Sequence, residues 1–358
     1  MAQRTIVNLA RHPRRAIAAA ALVAIGGSPP LVRGDWPLPA ADSGSFYVSS
    51  YSDDRVCLYA SDGSFVRDFD SPGLNGPRGL VVRSDRQELY VASQNSDDIH
   101  VFDTSGNSLR TFSGGGLNGP TGMALGPGGE LYVASFNTDA ILVFGEDDVF
   151  LRSFTGGGLN GPNCVAFDSA GQIFVASALT GRVIKFDSDE NYMTDFTGGG
   201  LASPMGIARD VNDVLYVAGG GSNNIVMFDT DGAYLGQLTH GDLTGPQGLA
   251  FDDRGHLFSS SFYQNQLVEF DANGQYVRTL VEGDLSLPRS ISFLPVSATG
   301  DANDDGVVDL MDYAAFVACT TGPAAAELAP DCAVFDFDAD LDVDHPDFAG
   351  LQRLVVAP

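Results

Sequence analysis

The stretch that decides the fold reads Gly156-Gly157-Gly158-Leu159-Asn160-Gly161-Pro162, and close variants of it return through the middle of the chain. Its final residue recurs at intervals of 42 or 43 residues, at Pro77, Pro120, Pro162, Pro204, Pro246 and Pro288. A second series of the type Leu-Tyr-Val keeps the same register, beginning at residues 46, 89, 131, 173, 215 and 257. A repeat of about 40 residues that holds several short strands is typical of a β-propeller with one four-stranded blade per repeat.

One repeat predicts four strands. Apolar, β-branched and aromatic runs at residues 121–125, 131–135, 141–144 and 150–154 are separated by clusters of Gly, Asp and Asn. Such clusters are turn signals, and the runs between them are strand signals. We refer to these strands as a, b, c and d in chain order, and we expect the polar segment 136–139 to be a loop.

The two ends of the repeat region predict how the ring closes. The region opens at a strand of type b, residues 46–50, and ends with an unmatched strand of type a, residues 290–294. The last strand can therefore pair beside the first three and complete one blade, which leaves no unpaired edge between the first and last blades. The sequence predicts an all-β, six-bladed β-propeller over residues 44–297.

The repeated pattern resembles a known family. Pro-x-Gly-Ile/Leu-Ala, then Leu-Tyr-Val-Ala-Ser, then Ile-x-Val-Phe-Asp is similar to the NHL repeat over residues 46–296. The resemblance implies the propeller fold. It does not imply one function, since members of that family include enzymes, RNA binders and interaction scaffolds.

The charge of the chain limits its partners. The 358 residues contain 19 Lys and Arg against 46 Asp and Glu, a formal net charge of −27. Such a surface repels phosphate backbones, so we expect no nucleic-acid binding, and it disfavours anionic lipid. It suits a protein that works with divalent cations.

The N-terminal segment resembles an export signal. Arginines at positions 4, 11, 14 and 15 precede the apolar run 16–25. This pattern is typical of a secretory signal peptide and is too short for a membrane span. We therefore expect residues 1–40 to be a signal peptide and leader, and the mature chain to have no integral span and to be bacterial extracellular, periplasmic or cell-surface. A disordered tail or an interfacial helix is the alternative for this segment.

Two acidic loops after Pro295 match the Ca²⁺-loop template, in which oxygen ligands occupy positions 1, 3, 5, 7, 9 and 12. The predicted ligands of the first loop are Asp301, Asn303, Asp305, the carbonyl of Val307, Asp309 and Asp312. Those of the second loop are Asp336, Asp338, Asp340, Asp342, Asp344 and Asp347. Gly306 permits the sharp turn of the first loop, whereas Leu341 takes that position in the second and predicts weaker or altered binding there. An apolar-periodic stretch after each loop predicts a helix.

Two loop-helix units at the end of an exported chain resemble a dockerin. The resemblance implies a small α-helical calcium-binding domain over residues 298–358, with a cohesin-like or cell-surface protein as its partner. We also predict a disulfide between Cys319 and Cys332, in keeping with export. The alternatives are a calcium-stabilised cap that binds no cohesin, and an acidic disordered tail.

The loops at one end of the ring predict a ligand site. The residue after each repeated proline should ring the mouth of the channel, and the positions just past strand b should lie beside it. These positions vary while the framework repeats. The predicted ligand-binding residues are Tyr51, Arg78, Gln247, Phe262, Tyr263 and Arg289. Arginines beside aromatic rings suit a carboxylate or other small anion, a sugar ring or an anionic peptide. Alternatively, both arginines pair with local aspartates.

The sequence favours a binding role over catalysis. Related propeller lyases place several histidines around the channel, often with a metal, whereas only His240 is expected on this face. His100 occupies a strand-c position that other repeats fill with Leu, Ile or Val, which indicates burial. The favoured function is a secreted binding scaffold tethered through the dockerin-like module. The alternatives are a metal-dependent lyase or lactonase acting in the channel, and a purely structural role in a surface layer.

Overall fold

The computed structural model describes residues 44–282 and 285–294. The predicted leader, both calcium loops and the Cys319–Cys332 pair lie outside the described residues. Within them, six four-stranded antiparallel sheets form the predicted six-bladed β-propeller.

The strands follow the predicted order, and most bounds differ by no more than one residue from those expected from the sequence. The first three are β1 (Phe46–Ser50), β2 (Arg55–Tyr59) and β3 (Phe65–Phe69). The second blade has β4 (Pro77–Arg83), β5 (Glu88–Ser93), β6 (Asp98–Asp103) and β7 (Ser108–Phe112). The third has β8 (Pro120–Leu125), β9 (Leu131–Ser135), β10 (Ala140–Phe144) and β11 (Phe150–Phe154). The fourth has β12 (Pro162–Phe167), β13 (Ile173–Ser177), β14 (Arg182–Phe186) and β15 (Tyr192–Phe196).

The remaining strands complete the ring. The fifth blade has β16 (Pro204–Arg209), β17 (Leu215–Gly219), β18 (Asn224–Phe228) and β19 (Tyr234–Leu238). The sixth has β20 (Pro246–Phe251), β21 (Leu257–Ser261), β22 (Gln266–Phe270) and β23 (Tyr276–Glu282), and β24 (Pro288–Phe293) follows. Single-turn 3-10 helices in the described part of the chain lie at Tyr51–Asp53, Ser84–Arg86, Phe136–Thr138 and Phe262–Gln264. The segment expected to be a loop at 136–139 therefore begins with a 3-10 turn.

The closure predicted from the two ends of the repeat region is confirmed. The last strand, β24, pairs antiparallel with β1, so the first blade has the order β24-β1-β2-β3. Val48 lies opposite Ile291, two residues that are far apart in the chain. The innermost strands contact one another in sequence around the ring, and β24 contacts β4.

Aromatic residues of the repeat join consecutive blades. The phenylalanine that ends strand c is fully buried, as in Phe144 and Phe186. It packs on the phenylalanine of strand d in the preceding blade, with ring centroids 5.3 Å apart for Phe112 and Phe144 and 5.1 Å apart for Phe154 and Phe186. The hydrophobic core consequently lies between adjacent sheets, where each cluster takes residues from two blades.

Strand b also holds the glycine-rich loop in place. The hydroxyl of Ser135 accepts from the amide of Asn118 at 3.0 Å and donates to its carbonyl at 3.1 Å. The loop leucine, Leu117 in this copy, is buried. Gly119 has φ +63, in the left-handed region that glycine enters without strain. These contacts explain why the Leu-Asn-Gly-Pro sequence accompanies a serine at the end of strand b.

Candidate ligand-binding site

A small cavity lies at the start of the innermost strands. Its volume is about 50 Å³, and polar side chains of five of the six residues that follow the repeated prolines line it. These are Arg78, Thr121, Asn163, Gln247 and Arg289. The sixth, Met205, instead packs beside the buried core of the fifth and sixth blades. The ring predicted from the sequence is thus brought together with one member missing.

Close packing of the innermost strands forms the wall of this cavity. Gly79, Gly206 and Gly248 line it two residues after their prolines. A Cβ atom at each of these glycines would lie 2.3 Å from a backbone oxygen of the next strand, closer than side-chain carbons come to other atoms. Glycine therefore allows the strands to converge. Cys164 stands in the corresponding position of β12 and also lines the cavity.

Two aromatic rings hold the guanidinium group of Arg289. Its central carbon lies 4.6 Å from the ring centre of Tyr51 and 4.1 Å from that of Phe262. Arg289 Nη1 donates a hydrogen bond of 2.9 Å to Gln247 Oε1. Its Nε is buried and has no hydrogen-bond partner among the described residues. Cation–π contacts of this kind contribute more when they are desolvated.

Arg78 lies beside the same cavity with 7% of its surface exposed. Burial, followed by repulsion from Arg289, lowers the pKa of Arg78 to about 9. Burial likewise lowers the pKa of Arg289 to about 10. Both groups remain charged at neutral pH, because both values stand above 7.

Within residues 44–282 and 285–294, neither of these arginines forms an ion pair. Most other arginines of the ring do, for example Arg110 with Glu88 and Arg182 with Asp195. The described residues therefore show no such pairing of Arg78 or Arg289 with a local aspartate. The described residues that line the cavity include no carboxylate.

Tyr263 lies farther out than the other predicted site residues. It is 70% exposed, and its ring meets that of Phe262 edge-on at 5.0 Å between centroids. It supports the Phe262 ring and presents a polar, aromatic surface to solvent. Five of the six predicted residues therefore lie together, and Tyr263 lies at the rim of this group. The five are Tyr51, Arg78, Gln247, Phe262 and Arg289.

The structure also contains a polar cluster that was not predicted from the sequence. The Ser71 hydroxyl lies 2.6 Å from His100 Nδ1, and His100 Nε2 lies 3.2 Å from Asp98 Oδ1 without hydrogen-bonding geometry. His100 is 1% exposed, so its predicted burial is confirmed, and Ser71 is 8% exposed. A nucleophilic serine needs access to substrate and a histidine oriented by its acid. In this cluster the serine is buried and the histidine is not hydrogen-bonded to the acid. The feature of the sequence that could have indicated the cluster is Ser71, which replaces a glycine of the repeat.

The described residues contain no group of three or more His, Cys, Asp or Glu side chains placed to hold a metal ion. Nor is any helix among them long and apolar enough to cross a membrane.

No protein-family model and no curated protein matches the chain. Solved structures do resemble it. A catalytically inactive variant of virginiamycin B lyase from Staphylococcus aureus, solved with quinupristin, has a TM-score of 0.56 at 14% identity over 72% of this chain and 94% of that one. A chain from the nidogen–laminin complex has a TM-score of 0.61 at 15% identity, over 70% and 97%. A Bacteroides caccae protein of unknown function has a TM-score of 0.56 at 16% identity, over 69% and 97%.

These structures share the architecture and little sequence with this chain. At identities of 14–16% the likeness concerns the fold and not the chemistry of the channel. The chain contains a six-bladed β-propeller.

Proposed function

We propose that this protein is a secreted scaffold whose propeller binds an extracellular ligand at the channel mouth and whose C-terminal module tethers it through calcium. One observation carries the binding role. In a chain with 46 acidic residues, Arg78 and Arg289 line a cavity and have no carboxylate partner among the described residues. Arg78 is buried beside a second cation, and a buried charge without an opposite charge is unfavourable for folding alone, so a ligand best explains its retention.

The aromatic rings beside the arginines support a ligand with a flat or apolar body. Tyr51 and Phe262 flank Arg289, and Tyr263 offers an exposed ring next to them. Aromatic and arginine side chains are common anchors of binding surfaces. The chain in the nidogen–laminin complex is one propeller found with a protein partner, which is in keeping with a peptide ligand.

Ligand screening by thermal shift tests the binding role. The chain without residues 1–40 is exposed to acidic peptides, oligosaccharides and small carboxylates. We expect at least one class to stabilise it, and we expect the effect to be lost in the Tyr51→Ala, Phe262→Ala double variant. Val211→Ser is the matched control, because Val211 is 95% exposed and lies outside the cavity lining. A ligand that binds the double variant as well as the parent would contradict this location.

The tethering role rests on the two acidic loops. Each supplies six side-chain or backbone oxygens at Ca²⁺-ligand spacing, and hard oxygen ligands are what Ca²⁺ prefers. When bound, the ion would fix the loop conformation and so order the helices that follow. A cohesin-like or cell-surface protein is the proposed partner, and the export signal would place the protein outside the cytoplasm.

Calorimetric titration of the full chain with Ca²⁺ tests this module. We expect binding heat in the parent, a reduced signal when Asp301→Ala and Asp305→Ala are combined, and no signal when Asp336→Ala and Asp340→Ala are added. Undiminished tight binding in the fourfold variant would locate the metal elsewhere and favour the enzyme alternative.

The lyase or lactonase alternative has less support. The inactive lyase variant carries alanine in place of a histidine, so that enzyme depends on a histidine. The described residues that line the cavity of the present chain offer arginine, amide, hydroxyl and thiol groups, and neither histidine nor carboxylate. Those groups suit recognition of an anion better than general acid–base catalysis.

A further inference from the structure

We propose that the cavity binds one small oxyanion, the carboxylate or phosphate group of the ligand, between the guanidinium groups of Arg78 and Arg289. This inference rests on the proposed binding function and specifies its chemistry. It selects an anionic group over a neutral sugar ring as the part of the ligand that enters the channel.

Charge balance is the first argument. Two positive groups line one cavity, and repulsion from Arg289 lowers the pKa of Arg78. No described carboxylate lines the cavity or pairs with either arginine. Removing two like charges from water is unfavourable unless an opposite charge joins them. An anion supplied from outside would satisfy both.

The second argument is the direction in which Arg289 can still bind. Tyr51 and Phe262 both pack against its guanidinium group, which restrains the group and leaves its N–H groups to make the remaining contacts. Gln247 takes Nη1, while Nε has no partner among the described residues. Arginine binds carboxylate and phosphate through pairs of parallel N–H groups, and a restrained group loses less entropy on binding.

Neutral donors complete the lining. Asn163 is 9% exposed and lines the cavity, and its side-chain amide makes no hydrogen bond to another described residue. The Thr121 hydroxyl lies 2.9 Å from the Pro162 carbonyl and 3.1 Å from the Ala134 carbonyl, so its proton is already engaged. An oxyanion held by the two arginines would therefore find an additional donor in Asn163.

Size separates an oxyanion from a whole ligand. A single water needs about 10–15 Å³ of cavity volume. A cavity of about 50 Å³ therefore has room for a few waters or one small oxyanion. A sugar ring or peptide would remain outside the cavity, against the aromatic rings. The anionic group thus enters the channel while the body of the ligand stays at the mouth.

The test uses the full chain, with thermal shift and calorimetry at constant ionic strength. The probes are acetate, inorganic phosphate and sulfate, with chloride as the background ion. We expect saturable binding of acetate or phosphate with a dissociation constant of about 1 mM or lower. Which of the two binds more tightly identifies the group as a carboxylate or a phosphate.

Variants locate the site. Arg78→Met and Arg289→Met should each weaken oxyanion binding at least tenfold. Arg78→Met should also raise the melting temperature in chloride buffer without the three oxyanions, because an uncompensated buried charge is removed. Arg289→Lys keeps the charge but loses the planar fork, so it should also weaken binding. It serves as the test if the methionine variants fail to fold. Arg182→Met is the matched control, since Arg182 pairs with Asp195 and lies outside the cavity lining.

Two results would overturn the inference. One is the absence of saturable binding of all three anions to the parent chain. The other is equal anion affinity in the parent and in the Arg78 and Arg289 variants. If a neutral oligosaccharide still binds and loses affinity in the Tyr51→Ala, Phe262→Ala variant, the oxyanion inference is wrong while the proposed binding function stands. If neither anions nor the screened ligands bind, both are wrong.

Discussion

At the scale of single residues, Ser71 and His100 show how one repeat departs from the others and stays packed. His100 stands in β6 where β10 has Leu142, and Ser71 stands where the next loop has Gly114. The two polar groups hydrogen-bond to each other at 2.6 Å inside the protein. Burial of a polar group is tolerated when it is hydrogen-bonded, so the two substitutions compensate for each other.

Two variants check this pairing. We expect Ser71→Ala to reduce the free energy of unfolding by about 1–3 kcal/mol, because it leaves a buried ring nitrogen without its partner. The combination of Ser71→Gly with His100→Leu, which copies Gly114 and Leu142, should recover most of that loss. Urea unfolding at pH 7 measures both. A Ser71→Ala variant as stable as the parent would show that the hydrogen bond contributes nothing.

At the scale of strands and loops, ion pairs connect one blade to the next. Glu88 begins β5 and accepts hydrogen bonds from Arg110 in β7 at 2.5 and 2.8 Å, and Arg110 also binds Asp148, which lies in the turn of the following blade. The third blade repeats the arrangement with Arg152 and Glu190. These ion pairs add polar contacts between sheets that otherwise meet through apolar side chains.

The ion pair of Glu88 with Arg110 predicts that the stability of the protein depends on pH. Hydrogen bonding to Arg110 lowers the pKa of Glu88 below its ordinary value of 4.5. A lowered folded-state pKa stabilises the fold above pH 4.5, and that contribution is lost as the pH falls through the folded-state value. Glu88→Gln should therefore destabilise the protein at pH 7 by about 1–3 kcal/mol and progressively less below pH 4.5. Denaturation curves at pH 7 and pH 3.5 measure the difference, which should not grow in acid.

A second repeated contact joins the glycine-rich loop to the residue that precedes strand c, and one repeat lacks it. Asp139 has φ +53 and its carboxylate accepts from the amide of Gly161 at 2.8 Å; Asn223 and Gly245 repeat this contact at 2.8 Å. Gly181 occupies the same position in the fourth blade with φ +72, and no described atom lies within 4 Å of the place that a Cβ would take there. It has room for the missing side chain.

Gly181→Asn should stabilise the protein. Asparagine adopts the left-handed region readily and would reach the amide of Ser203, the position equivalent to Gly161. We expect a gain of about 0.5–1.5 kcal/mol in the free energy of unfolding from one added hydrogen bond and a less flexible unfolded chain. Gly181→Ala is the control, since it adds a Cβ without an acceptor and should be neutral or destabilising. Equal stability of the two variants would show that the hydrogen bond to the Ser203 amide does not form.

At the scale of the whole molecule, stability depends on the joint blade. The strand β24 supplies one edge of the first sheet, and Ile291 packs in a buried cluster with residues of the first and sixth blades, among them Phe46 and Phe258. Pairing of the last strand with the first three converts an open row of sheets into a closed ring. It also places Arg289 beside Tyr51.

Removal of β24 should therefore disrupt the ring. A chain that ends at Leu287 exposes the edge of β1 and the apolar residues around Phe46, so we expect loss of cooperative thermal unfolding and rapid proteolysis. A chain that ends at residue 297 keeps β24 and is the matched control. Calorimetry together with limited proteolysis distinguishes the two, and a cooperative transition in the shorter chain would contradict a requirement for closure.

The amino-acid sequence by itself determined the blade number, the strand positions and the way the ring closes. These features depend on local strand and turn preferences, and six copies of the same pattern reinforce one another. It also singled out the residues after the prolines, because they vary within a repeating frame. The calcium loops, disulfide and leader stay predictions from the sequence.

Only the tertiary structure decided how those residues meet. Met205 packs beside the core while Arg78 and Arg289 line one cavity, and Tyr51 contacts Arg289 across more than two hundred residues of chain. The absence of a described acid beside the two arginines is likewise a matter of three-dimensional placement, since aspartates are common in the sequence near both. Contact distances and the charge around the cavity depend on side-chain packing between blades, which no local pattern encodes.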